Sequence, residues 1–467
     1  MLDRKERMMR KTRLVSLLVM ALFAAVAASA IHGVAIQPPD GDRSDTIRQT
    51  IVNGPARNVL LFIGDGMGDA EITAARNYAV GAAGRLAMDA LPLTGAYTTY
   101  AVQERDPSMP DYVTDSAASG TGWATGHKTS NGRISTTAGT DKDLETLLEI
   151  ARSRGMRTGD VTTAELTDAT PAVLAAHVAN RSCQGPADMA ACPQDKRSAG
   201  GAGSIAEQLI AHDVDVLMGG GGARFQEAPM EDGRLPIQEA LARGYRVIGG
   251  ESGLPLAEPG RKLLGLFAPG NMIVEWRGEE ALPYPSNVRR PQVCQEDNRP
   301  LGQPTLAAMT ARAIELLDRP SGPGFFLQIE GASIDKEDHA ANPCGQIGET
   351  IGFDRAIKIG MDFARKHPDT LLVVSADHGH TSQIVSTPTD LDHPLGPISV
   401  LLTHDGAPMT LSYGTNAYHR SMDHTGTQVR IAAMGPQAAN VVGITDQTDV
   451  FRLVRRAIGS EPSTALR

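Results

Sequence analysis

The sequence predicts an α/β fold, a single large domain with a central, mostly parallel sheet and helices on both faces. Three largely apolar runs carry that expectation: Asn58–Ile63, Gly324–Glu330, which ends in an acid, and Thr370–Ser375 read as strands buried on both sides. Segments of helical character lie between such runs, so strand and helix alternate along the chain. Each run also stops at a turn rich in chemistry, namely Asp65, Glu330 and Ala376-Asp377-His378-Gly379-His380. At 467 residues the chain can bury a large core.

Residues 1–30 read as a secretory signal peptide. Arg4, Lys5, Arg7, Arg10, Lys11 and Arg13 make a basic start, Leu14–Ala27 is apolar but short for a membrane span, and Ala28-Ser29-Ala30 is a small-x-small cleavage site. An uncleaved anchor is the competing reading. Residues 31–56 are polar, contain Pro and Gly, and read as a flexible lead-in; residues 57–460 form the folded domain. Within it, Gly64-Asp65-Gly66-Met67-Gly68-Asp69 is a turn leading into a helix that runs to about Ala79. Ser116–Ala124 and Asp143–Arg154 read as helices, Arg157–Thr163 as a strand, Glu165–Pro171 as a polar turn and Ala172–Asn180 as a helix ending at Arg181. Ile205–Ala211, Val214–Met218, Ile237–Ala242 and Arg246–Ile248 continue the alternation. Residues 250–304 carry much Pro, Gly and Asn and read as loops and short strands, after which Thr305–Leu317 and Ile347–Lys366 are helices.

Charge narrows the function. The formal net charge is −10, and removing residues 1–30, with six basic and two acidic side chains, makes it −14. An acidic chain with only two tryptophans has no footprint for nucleic acid. Attraction of an anionic substrate must then be local, through metal ions, an arginine or a helix terminus. Four cysteines in an exported chain read as two disulfides, and of the three pairings the sequence spacing favours Cys183–Cys192 with Cys294–Cys344.

The strand ends supply candidate ligands. Asp65 would set a carboxylate where a dinucleotide's pyrophosphate should sit, and the glycine spacing is not G-x-G-x-x-G, so a metal fits that turn better. Asp335 and His339 are four apart, on one face of a helix. Asp377-His378 follows a buried strand, where two such polar groups are costly unless coordinated or hydrogen-bonded. Carboxylates and imidazoles gathered there are ligands for zinc and magnesium. A further histidine is needed, with His424 chosen over His419, His404 and His393, which spacing alone does not separate. His177 reads as a packed core histidine, and His127, His212 and His367 as surface residues. Ser116, in Thr114-Asp115-Ser116-Ala117-Ala118-Ser119-Gly120, opens a helix where free N–H groups suit an anion. Simple N-capping is the bland alternative.

Taken together, Gly64-Asp65-Gly66-Met67-Gly68, Thr114–Ser119, Asp168-Ala169-Thr170-Pro171, Glu330-Gly331-Ala332-Ser333-Ile334-Asp335-Lys336, Asp377-His378 and His424-Thr425-Gly426 resemble bacterial alkaline phosphatase. The resemblance runs in order from about Asn58 to Gly459 and includes the cysteine pairing. It implies two zinc ions, one held by Asp335, His339 and His424 and the other by Asp65, Asp377 and His378. It implies one magnesium ion sharing Asp65 and held by Thr170 and Glu330, with Asp168 acting through bound water. Ser116 would be the nucleophile, Arg181 the phosphate clamp, Lys336 a water-mediated phosphate contact paired with Asp168, and His380 a support for a zinc-bound carboxylate. The implied protein is a periplasmic or secreted homodimer acting on phosphate monoesters, without stable membrane association after signal cleavage. Gly379 and Gly122 stand where alanine is commoner in such phosphatases, which predicts a looser backbone beside the zinc and the nucleophile helix.

Rival activities fit less well. A sulfatase needs a Cys or Ser in a Pro- and Arg-containing motif, a phosphodiesterase would lack Arg181 and the magnesium ligands, and a serine esterase would show G-x-S-x-G around its nucleophile. A secreted metal- or phosphate-binding protein without turnover is the alternative from another class.

Overall fold

The computed structural model describes residues 42–286, 290–390 and 392–459. The expected signal peptide and residues 31–41 of the lead-in lie outside the described residues. Among the described residues ten strands make the main sheet: Asn58–Gly64 (β1), Leu93–Thr98 (β2), Arg157–Glu165 (β3), Val216–Gly220 (β4), Arg246–Ile248 (β5), Leu263–Leu266 (β6), Phe325–Gly331 (β7), Thr370–Ala376 (β8), Val429–Met434 (β9) and Gly443–Asp446 (β10). Their order is β10-β2-β9-β8-β1-β7-β3-β4-β6-β5. β9 runs against its neighbours β8 and β2, and the other pairings are parallel. Successive side chains of a strand point to opposite faces. Every residue of β1, β7 and β8 is buried, so both faces of the sheet are covered at its centre. The three strands anticipated as core are thus immediate neighbours.

The helices are Ser44–Thr50 (α1), Asp69–Val80 (α2), Ser116–Thr125 (α3), Leu147–Ser153 (α4), Ala169–Ala172 (α5), Ile205–Ala211 (α6), Gly222–Gln226 (α7), Pro236–Ala242 (α8), Leu306–Leu317 (α9), Ser333–His339 (α10), Pro343–Lys366 (α11) and Asp449–Ala457 (α12). None among the described residues is long and apolar enough to cross a membrane. Ser382–Val385, Pro408–Tyr413 and Ile398–Leu402 form a separate antiparallel sheet. Both disulfides, Cys183–Cys192 and Cys294–Cys344, have the favoured pairing.

Two local expectations are corrected, and two segments gain detail. Within the lead-in, Ser44–Thr50 forms α1, and Val52 pairs with Pro436. The helix expected from Asp143 starts only at Leu147, because Thr146 caps it: its hydroxyl accepts from the Glu149 N–H at 3.2 Å, and Glu149 accepts from the Thr146 N–H at 2.9 Å. Asp143 is instead paired to Thr136. The helix expected over 172–180 does not form: α5 ends at Ala172, and the backbone beyond it has tertiary partners. Gln208 binds both the N–H and the C=O of His177, and Val178 bridges to Ile134. The segment 250–304, read as loops and short strands, contributes one such short strand, Leu263–Leu266, buried in the main sheet.

Candidate active site

Register brings the acids together. Gly64 at the end of β1 pairs with Ala376 of β8 on one side and with Gly331 of β7 on the other. Asp65, Asp377 and Glu330 therefore emerge side by side at the carboxyl edge of the sheet, where open α/β sheets bind ligands. α10 starts almost directly after β7 and presents Asp335, Lys336 and His339. His424 arrives on a loop pinned to the β8 turn, where the Thr425 N–H donates to the Gly379 carbonyl at 3.0 Å.

Two clusters result. In one, Asp335 Oδ1 lies 3.5 Å from His339 Nε2, 3.3 Å from His424 Nε2 and 3.1 Å from His380 Nε2. His380 thus touches the carboxylate it was expected to support. In the other, His378 Nε2 is 3.1 Å from Asp377 Oδ2 and 3.6 Å from Asp65 Oδ1. Ser116 Oγ sits against this second cluster, 3.4 Å from Asp65 Oδ1 and 3.3 Å from His378 Nε2. Ser116 is the first residue of α3, and the N-cap is Asp115, whose Oδ1 accepts the Ala118 N–H at 2.9 Å. Capping is therefore done by Asp115, and the Ser116 hydroxyl is left facing the acids.

The expected magnesium ligands are divided between β7 and α5. Glu330, at the end of β7, accepts a hydrogen bond from Thr162 of β3. The Thr170 carbonyl accepts from Gln328 Nε2 at 2.8 Å, which ties α5 to β7 two residues before Glu330. Asp168 caps α5 and divides its oxygens between two cations: Oδ1 accepts from Arg181 Nη2 at 2.8 Å and Oδ2 from Lys336 Nζ at 2.7 Å. Arg181 is also held by Asp115, with Nη1 to Oδ2 at 3.2 Å. That tether was not read from the sequence, where Asp115 offered only a capping signal. Two further contacts were missed, the Thr162 bond and the Ser119 hydroxyl donating to the Asp377 carbonyl at 2.6 Å. Threonines inside a buried parallel strand were the available signal for the first.

Burial and crowding set the protonation behaviour. Burial, then the charges of Asp335, Asp377 and Glu330, push the Asp65 carboxyl up. Burial pushes Glu330 up to about 8 despite the Thr162 bond. Burial also disfavours ionised Asp168, but Lys336 and Arg181 outweigh it and hold its carboxyl well below the usual range. The His378 imidazole is driven down by burial and by neighbouring imidazoles. Burial pulls His424 down too, yet Asp335 prevails and raises it to about 9.

This donor set fits metal ions. His339 Nδ1 faces the Met422 carbonyl, and His424 Nδ1 faces that of Thr114 at 3.0 Å. A ring whose Nδ1–H donates to a carbonyl presents Nε2 as a lone pair, the arrangement usual in metal-ligating histidines. Thr170 Oγ1 is buried and has no hydrogen-bond partner among the described residues. Beside the clusters a cavity of about 450 Å³ is lined in part by Lys336, His339, Tyr418 and Arg420. Neighbouring side chains close in on Gly379 and Gly122. A Cβ at Gly379 would lie 2.4 Å from Thr427 Cγ2, and one at Gly122 would lie 2.7 Å from Gln447 Nε2, so neighbouring side chains already occupy the space of the missing methyls.

Solved structures place the chain first by fold. The alkaline phosphatase of the Antarctic bacterium TAB5 aligns with a TM-score of 0.68 at 23% identity, covering 88% of this chain and all of that one (100%). That of Thermus thermophilus aligns at 0.67 and 23%, covering 91% and 96%. At such identity the likeness defines a fold class, the alkaline-phosphatase-like α/β fold. Sequence comparison goes further: the alkaline phosphatase family matches residues 56–422 and 415–459. Escherichia coli K12 alkaline phosphatase is 50% identical over 429 residues, covering 90% of this chain and 89% of that protein. The streptomycin-6-phosphate phosphatase of Streptomyces griseus is 53% identical over 416 residues, covering 87% and 91%. The chain belongs to the alkaline phosphatase family and is a phosphoric monoester hydrolase.

Proposed function

We propose that this is an exported phosphomonoesterase that works through a phosphoserine on Ser116, with an alkaline pH optimum and the two-zinc, one-magnesium complement. The observation that carries this reading is the seat of Ser116 Oγ, at the start of α3 and within 3.4 Å of both Asp65 and His378. Asp335, His339 and His424 would hold one zinc, and Asp65, Asp377 and His378 the other. Asp65, Thr170 and Glu330 would hold magnesium, with Asp168 reaching it through water. When bound, the ions supply positive charge that lowers the pKa of a hydroxyl and neutralises phosphate.

A serine hydroxyl is a poor nucleophile unless activated, and Ser116 is placed among groups that can accept or offset its proton. Its oxygen forms the bond to phosphorus as the bond to the alcohol breaks, and the alcohol leaves with a proton. Water then displaces Ser116 from phosphorus and restores its hydroxyl. Two in-line displacements give net retention of configuration. Arg181, oriented by Asp115 and Asp168, offers its planar N–H groups to phosphate oxygens. Lys336 contributes charge through water. Gripping only the phosphoryl group favours a broad range of monoesters, their alcohol portion lying in the neighbouring cavity.

Two disulfides, the absence of free cysteines among the described residues and the signal-like N terminus support a periplasmic or secreted location. A homodimer is the assembly the family resemblance favours, checked by light scattering of the purified protein. The deciding experiment for the mechanism is an acid quench of enzyme turning over p-nitrophenyl phosphate. A phosphoryl group on the Ser116 peptide is expected, and its absence after Ser116→Ala. Turnover with no phosphoryl on Ser116 would overturn the mechanism.

A further inference from the structure

We propose that Glu149, His177 and His212 form a further metal site, apart from the catalytic clusters, for a divalent transition ion such as zinc. The three come from different parts of the fold: Glu149 from α4, His177 from the turns after α5, and His212 from the C-cap of α6. Glu149 Oε1 lies 3.3 Å from His177 Nε2 and 3.0 Å from His212 Nε2, and the ligand atoms all fall within 4.8 Å of one another. Metal bonds of about 2.0–2.2 Å in tetrahedral array separate neighbouring ligand atoms by roughly 3.3 Å, so little movement is needed to seat an ion.

Each ligand is aimed by a second contact. His177 Nδ1 faces the Ser135 carbonyl at 3.0 Å and His212 Nδ1 the Gln208 carbonyl at 2.9 Å. With both Nδ1 hydrogens donated to carbonyls, both Nε2 atoms point at one carboxylate oxygen. Glu149 is fixed in turn, because Oε2 takes the Thr146 N–H at 2.9 Å in the capping box and leaves Oε1 for the histidines. Two lone pairs and a carboxylate converging in this way repel unless a proton or a cation stands between them. Above the range in which imidazoles bind protons, the cation is the favoured occupant.

The cluster is partly exposed. Side-chain exposure is 10% for His177, 24% for His212 and 27% for Glu149, leaving room for water as a fourth ligand. Two histidines, one glutamate and water form a known zinc donor set. Bound there, an ion would cross-link α4 and α6 to the segment that leads, four residues later, to Arg181. Its role would be structural, tying these elements together, with no part in binding phosphate or in the chemistry.

The test uses the full chain with its catalytic sites already loaded. Crystals equilibrated with excess zinc should show an anomalous peak at the zinc edge among Glu149, His177 and His212. In solution, equilibrium dialysis against zinc should find one more equivalent per chain in the wild type than in His212→Ala or Glu149→Gln, with hydrolysis unchanged in His212→Ala. No anomalous peak at saturating zinc would overturn the proposal, whatever becomes of the variants. So would equal zinc content in the wild type and a folded His212→Ala. A His212→Ala enzyme that loses zinc together with its activity would show the residue acting through the catalytic cluster, and would equally rule out a separate site.

Discussion

The Nε2 atoms of His339 and His424 face each other at 3.1 Å while each Nδ1 is turned to a backbone carbonyl. Two imidazoles so arranged bring lone pair against lone pair unless something positive lies between them, and Asp335 adds a carboxylate to the same point. Chelation should therefore abolish hydrolysis by at least about a thousandfold and also lower Tm. An ion held at a thousand times its Kd contributes about 4 kcal/mol to the native state. Adding zinc and magnesium back should restore rate and Tm together, as read by p-nitrophenyl phosphate turnover and calorimetry. A chelated protein that keeps its Tm would mean the clusters are stable without cations.

Arg181 is the side chain whose removal should separate binding from chemistry. Its guanidinium is already oriented by Asp115 and Asp168, so substrate meets a preformed clamp. Hydrogen bonds to charged groups are worth about 1.5–3 kcal/mol, or roughly 10- to 100-fold. Arg181→Ala should lower kcat/KM by that factor, chiefly by raising KM, and weaken inhibition by inorganic phosphate in parallel. Arg181→Lys should fall between, since one ammonium cannot span both carboxylates and the substrate. Steady-state kinetics with phosphate as inhibitor settle it; an unchanged phosphate inhibition constant in Arg181→Ala would count against the clamp.

Much of this site was legible because strand burial and ligand chemistry leave marks within single segments. Asn58–Gly64, Phe325–Gly331 and Thr370–Ala376 are mostly apolar and buried throughout because both faces are covered, and each stops at the groups the site uses. Asp335 and His339 were paired by helical spacing, which α10 provides. Segments whose backbone is captured by distant partners were misread. The 172–180 stretch has helix-forming residues, but Gln208, far along the chain, takes the backbone groups of His177 that a helix would need. The same event turned His177 toward Glu149 and made His212, read as a surface residue, its neighbour. Asp115's hold on Arg181 and Thr162's on Glu330 likewise depend on contacts that no local pattern announces.

The two disulfides should differ in what they contribute. Cys294–Cys344 closes a sequence separation of 50 residues and Cys183–Cys192 one of 9. Loop-closure entropy then assigns about 4 kcal/mol to the first and about 2.6 kcal/mol to the second. Cys294→Ser/Cys344→Ser should lower the denaturation midpoint more than Cys183→Ser/Cys192→Ser, measured with metals saturating in both. The reverse order would show that native-state packing, which buries Cys183, Cys192 and Cys344 fully, outweighs chain entropy.

Glu349 should make stability fall with rising pH. It lies on α11 at 5% exposure, its Oε1 accepting the Glu275 N–H at 2.7 Å, and burial, with the Glu275 charge nearby, pushes it up to about 8. A carboxyl whose pKa is higher folded than unfolded is held protonated by the native state. Below about pH 4.5 both states carry the proton and nothing is lost. Between about 4.5 and 8 only the unfolded chain releases it, and stability declines by about 1.4 kcal/mol per pH unit. Above about 8 both states are ionised and the deficit stays constant. Glu349→Gln keeps a carbonyl for the Glu275 N–H but has no proton to lose. Its Tm advantage should be near zero at pH 4.5, grow steadily to pH 8 and level off beyond, as read by calorimetry across that range. An advantage that does not change with pH would mean that Glu349 ionises in the folded protein as readily as in the unfolded chain.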